Sequence, residues 1–87
     1  MRQVTFYRLT DGRYEEAGDV RLADGALEIT DDLLRKTLEA IPVVMEGRRY
    51  WPSGADPEAY LAMLPMAFCG SYFRASMVEE VSDVNLG

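Results

Sequence analysis

The 87-residue chain contains no histidine, one cysteine and one lysine. Without histidine there is no imidazole for acid/base work near neutral pH, and none to bind a metal. A single cysteine excludes an internal disulfide framework and leaves a Cys/His zinc site almost without ligands. Side-chain amides are equally scarce, with only Gln3 and Asn85. The longest apolar run, Ala59 to Cys69, spans 11 residues and is interrupted by Pro65. A bilayer-spanning helix needs about 20. The start, MRQVTFYRLTDGR, alternates like a strand and carries no apolar run of signal-peptide length. The expectation is a soluble, cytoplasmic protein with no membrane partner, its unpaired thiol fitting a reducing compartment.

Acidic groups are present in excess, 15 against 9 basic ones, for a formal charge of −6. The excess is spread evenly, so it favours solubility. It also argues against a nucleic-acid partner, because neutralising phosphates needs surplus lysine and arginine. A nucleic-acid mimic would need a long carboxylate stripe, which the sequence lacks. Apolar residues make up 48% of the chain, the share of a folded globule, and the length fits one domain. Residues 1–78 are read as that domain and 79–87, with three acids and no base, as an acidic tail.

Asp11-Gly12, Asp24-Gly25 and Glu46-Gly47 mark tight hairpin turns, since glycine accepts the positive φ these demand. Around the first two, Val4–Leu9, Tyr14–Leu22 and Leu27–Ile29 have strand character, with Val20 and Leu22 on one face. Residues 3–29 are therefore expected to form a three-stranded antiparallel meander. Thr30 is placed to cap a helix whose first turn holds Asp31 and Asp32. Leu33, Leu34, Leu38 and Ile41 would form its apolar stripe, and Asp31–Arg35 and Asp32–Lys36 its ion pairs, with Pro42 ending it. Val43–Met45 and Arg48–Trp51 read as a second hairpin. Asp56-Pro57 is a strong helix start. The helix it opens has almost no polar face; Pro65 is expected to end or kink it, with a further turn open over Met66–Phe68 and Gly70 closing it. Ser71–Val78 completes the order β-β-β-α-β-β-α-β, with Phe73, Ala75 and Met77 on one face. The fold class is α+β: a mainly antiparallel sheet with two helices packed on it.

No catalytic set emerges. Cys69 has no histidine to activate it and sits between Phe68 and Gly70 like a small core residue. The carboxylate pairs Glu15-Glu16, Asp31-Asp32 and Glu79-Glu80 are neighbours in sequence, whereas two-carboxylate hydrolysis draws its acids from separate elements. No spacing matches an EF-hand loop. The sequence thus implies no metal, no cofactor and no enzyme. Arg48-Arg49-Tyr50-Trp51 joins guanidinium groups to large aromatics, the mixture found at binding hot spots. The plainer reading of this run has Trp51 in the core. If Phe73 faces inward, Tyr72 and Arg74 lie on the opposite strand face, with Tyr7 similarly placed. Tyr60 lies on the helix without a polar face.

The stretch Leu64-Pro65-Met66-Ala67-Phe68-Cys69-Gly70-Ser71-Tyr72 resembles a pattern in short uncharacterised bacterial and phage proteins: a helix ending in Leu-Pro, then Gly-Ser and an aromatic strand. The resemblance implies an accessory or assembly component of a mobile element and brings no site residues with it. The expected function is a non-enzymatic protein-interaction module, with a protein or a second copy as partner. Its expected contact residues are Arg48, Arg49, Tyr50, Trp51, Tyr60, Tyr72 and Arg74. The alternative is a binder of a small anionic ligand at the Arg48–Trp51 hairpin.

Overall fold

The computed structural model describes residues 2–78; the expected acidic tail, 79–87, lies outside them. The elements are β1 (Arg2–Thr10), β2 (Arg13–Ala23), β3 (Ala26–Ile29), α1 (Asp32–Ala40), β4 (Val43–Met45), β5 (Arg48–Tyr50), α2 (Pro57–Ala67) and β6 (Phe73–Val78). This is the expected α+β order. Each of the three acidic-residue–glycine pairs places both its residues at positive φ, as at Asp11 (52°) and Gly12 (79°). That is the type I′ geometry whose twist matches a hairpin.

The strands split into a four-stranded antiparallel sheet, in the order β3-β2-β1-β6, and a separate β4-β5 hairpin. Val4, Phe6, Val20, Leu22 and Ala75 point from the large sheet into one core with Leu34 and Leu38 of α1 and Tyr60, Leu61, Met63 and Leu64 of α2. Phe6, Phe68 and Phe73 add a cluster of three rings with centroids 5.2–5.7 Å apart. Both helices therefore cover the same face of the sheet. The small hairpin adds Val43, Met45 and Tyr50 to this core. It packs on α2, which itself lies against β6, β2 and β1. A helix held between a sheet and a hairpin needs no polar face, and this explains the composition of α2.

Several local expectations are corrected. Asp31, not Thr30, caps α1: its Oδ2 accepts from the Leu34 N–H at 3.0 Å. Thr30, just past β3, is tied to β2 instead, with its N–H donating to the Asp19 carbonyl and its hydroxyl accepting from the Asp19 N–H. With Asp31 used as the cap, Arg35 pairs with Asp32. The expected apolar stripe is narrower than four residues. Leu34 and Leu38 face the sheet, whereas Leu33 is 61% exposed and Ile41 is already in extended backbone, as a residue before proline tends to be. Pro65 does not end α2. The helix runs on to Ala67, closed by the Phe68 N–H on the Leu64 carbonyl, although Pro65 leaves the Leu61 carbonyl without its usual donor. No helix among the described residues is long and apolar enough to cross a membrane.

Candidate functional site

The open face of the four-stranded sheet follows from strand parity. With Val4, Phe6, Val20 and Ala75 inward, Thr5, Tyr7, Asp19, Arg21, Arg74 and Ser76 alternate to the other side. Between β1 and β2 the register shifts after Phe6: Phe6 opposes Gly18, but Tyr7 opposes Glu16. Ala17 is the extra residue of this bulge, and it reverses the parity of β2. Tyr14 and Glu16 thereby leave the face of Val20 and join Tyr7 and Leu9 on the open side.

One half of this face is closed by its own hydrogen bonds. The Thr5 hydroxyl donates to Asp19 Oδ1 at 2.9 Å, Gln3 Nε2 donates to Thr5 at 3.3 Å, and Arg21 Nε donates to Gln3 Oε1 at 3.0 Å. Arg21 Nη2 also lies 3.6 Å from Asp19 Oδ2. Thr5, at 3% exposure, is buried beneath this network. The polar groups there satisfy one another and leave little for a partner.

The other half is aromatic and cationic. The Arg74 guanidinium carbon sits 4.8 Å from the centroid of the Tyr14 ring, within reach of a cation–π attraction. The Tyr14 hydroxyl donates to the Ser71 carbonyl at 2.6 Å, so the ring lies across β1 and is fixed at both ends. Tyr72 is 74% exposed, and its carbonyl accepts from the Leu9 N–H at 2.8 Å, which anchors its backbone to the sheet. Arginine and tyrosine held in place in this way lose little freedom on meeting a partner.

The seven residues expected at a contact surface fall in three places. Tyr72 and Arg74 stand together, as described. Arg48 and Arg49 are exposed on the β4-β5 hairpin, which packs on α2 and so lies on the far side of the sheet. In that hairpin the expected orientation is reversed: Tyr50, opposite the buried Val43, packs on the core, while Trp51 is 39% exposed. Tyr60 is corrected outright. It is fully buried in the core and offers no surface to a partner. Its hydroxyl has no hydrogen-bond partner among the described residues. Burial alone pushes its pKa up to about 12, because a phenolate there would lose its hydration.

Tyr14 was not among the expected site residues, yet its signal was in the sequence. A two-residue turn at Asp11-Gly12 places Leu9 opposite Tyr14, and Leu9 shares the parity of Tyr7. A cavity of about 580 Å³ lies elsewhere, between α1 and the inner sheet face, and none of Arg48, Arg49, Tyr50 or Trp51 lines it. Cys69 is exposed, its thiol donating to the Met66 carbonyl at 3.4 Å. Among the described residues no group of three or more His, Cys, Asp or Glu is arranged to hold a metal ion. No known family model, characterised protein or solved structure matches this chain.

Proposed function

We propose that the chain is a non-enzymatic protein-interaction module that meets its partner on the open sheet face around Tyr14, Tyr72 and Arg74. One observation carries the reading: both helices and the small hairpin lie on one side of the sheet, and the side that no other described element covers presents an arginine stacked on a tyrosine beside a second, highly exposed tyrosine. Tyrosine and arginine are enriched where interface energy concentrates. The expected contribution of Tyr60 on α2 falls away, because Tyr60, Leu61, Met63 and Leu64 are core, and the apolar residues this helix leaves exposed are Ala62, Met66 and Ala67. The role is of the accessory or assembly kind that the resemblance of the Leu64–Tyr72 stretch implies.

The test places a photo-cross-linking residue at position 72 and, as control, at Glu39 on the exposed side of α1. In native host cells a distinct protein adduct should form from position 72 and not from position 39. Replacing Arg74 or Tyr14 by Ala should weaken that capture roughly tenfold, as loss of one hot-spot residue does. Equal labelling from both positions would sink the proposal. So would adducts indifferent to Arg74→Ala.

A further inference from the structure

The open face matches its chemistry across β1. In one row Tyr7 lies between Arg74 on β6 and Glu16 on β2. One row on, Leu9 opposes Tyr14 on β2, and its N–H reaches the Tyr72 carbonyl on the β6 side. The rows therefore read cation, tyrosine, carboxylate and then tyrosine, leucine, tyrosine. Neighbouring strands are about 4.8 Å apart, so the backbones of Arg74 and Glu16 stand about 10 Å from each other with β1 between them. Both residues are exposed, and neither has an ion-pair partner among the described residues. Stacking on Tyr14 occupies one face of the Arg74 guanidinium and leaves its N–H edge for a carboxylate.

A pattern of this kind is complementary to itself. A two-fold axis lying above β1 and parallel to it carries β6 of one copy over β2 of the other. Arg74 then meets Glu16 of the second copy, Tyr72 meets Tyr14, and Tyr7 and Leu9 meet their own counterparts. That exchange is what an isologous interface requires. An axis at right angles in the same plane would lay β6 on β6 and lose the pairing of opposite charges. Arg21 and Asp19 are paired with each other on this face, so the acidic excess behind the charge of −6 lies mainly off the contact.

Resting on the open-face reading above, we infer that the partner at this face is a second copy of the chain. The two sheets pack face to face in the aligned manner, with reciprocal Arg74–Glu16 pairs on either side of β1 and Tyr14–Tyr72 contacts beside them.

Sedimentation equilibrium of the full chain, from micromolar to sub-millimolar concentration, should show a monomer–dimer equilibrium approaching twice the monomer mass of 9.8 kDa. Arg74→Glu and Glu16→Arg should each weaken the dimer roughly tenfold, since each sets like charges face to face on both sides of the axis. Mixing the two variants should restore association, because in the mixed pair every contact again joins opposite charges. That recovery also shows that both variants fold. Arg48→Glu, on the hairpin beyond the other side of the sheet, should leave the dimer unchanged. A chain monomeric at every concentration would overturn the inference, as would a dimer indifferent to both charge reversals or variants that stay apart when mixed. If the chain is monomeric while position 72 still captures a different protein in host cells, only the second copy falls and the open-face reading stands. Loss of both the dimer and that capture removes the face itself.

Discussion

Replacing Tyr60 by Phe removes one oxygen from the middle of the core and nothing else. The ring is completely buried among Val4, Phe6, Val20 and the other core residues, and its hydroxyl has no partner among the described residues. A buried hydroxyl without a hydrogen bond costs roughly 1–3 kcal/mol relative to one left in water. Tyr60→Phe should therefore stabilise the fold, by about 1 kcal/mol once some relaxation around the smaller side chain is allowed. In a domain this small that corresponds to a rise in Tm of about 4–8 °C. Urea unfolding at pH 7 should show a higher midpoint with an unchanged slope.

The pH dependence gives a second, independent reading of the same hydroxyl. The phenol is pushed up to about 12 in the folded chain, against 10.0 as its ordinary value. Between those values the unfolded chain has released the proton and the folded chain has kept it, so stability falls as pH rises. Below pH 10 the contribution is constant, and it is lost through the folded value. The Phe variant lacks this loss, so its advantage over the parent should widen above pH 10. The other tyrosines are present in both proteins and cancel in the difference. A loss of more than about 1 kcal/mol at pH 7 would show that the hydroxyl has a strong partner, and would refute the reasoning. An advantage that stays flat from pH 8 to 11.5 would refute its second half.

Gly18→Ala should destabilise by roughly 2–4 kcal/mol, because the added methyl collides with Asp31 and Leu34 while the backbone stays at positive φ; chemical denaturation measures it, and a loss below 0.5 kcal/mol would contradict the close approach. Asp31→Ala should cost about 1 kcal/mol and lower helical circular dichroism through loss of the cap. Thr30→Ala should leave the helical signal intact, since its hydroxyl bonds to the sheet. The reverse ranking of helical loss would return the cap to Thr30.

Much of the fold was legible because local rules agreed with the global outcome. The Asp-Gly and Glu-Gly turns, the meander and the small hairpin they join, and the Asp56-Pro57 helix start all depend on neighbours in sequence. The misplacements share another origin. Thr30 is as good a capping residue as Asp31 until its pairing with Asp19 is known, and that pairing crosses 11 residues. The bulge at Ala17 has no mark in composition: counting back from Val20 without it would turn Tyr14 inward, whereas counting from the Asp11-Gly12 turn puts it beside Leu9 on the open face. Likewise, short hairpins such as β4-β5 carry too few alternating positions to say whether Tyr50 or Trp51 turns inward. As for the site, Tyr72 and Arg74 were readable from the parity of a strand with one plainly apolar side. The cavity was not readable, because it depends on how the first turns of α1 meet the β2 bulge and Phe73, residues far apart in sequence.

The pairing of β1 with β6 brings Gln3 opposite Val78, while β2 and β3 pair through turns of two residues. During synthesis from the N-terminus, the meander and α1 are complete while one edge of β1 still waits for a strand some 70 residues later. Until then Phe6 lacks Phe68 and Phe73, and the backbone groups on that edge are open to any other strand. Closing that span costs more chain entropy than closing a two-residue turn. Among the described residues, the edge of β1 is thus covered only by β6, the strand most distant from it in sequence.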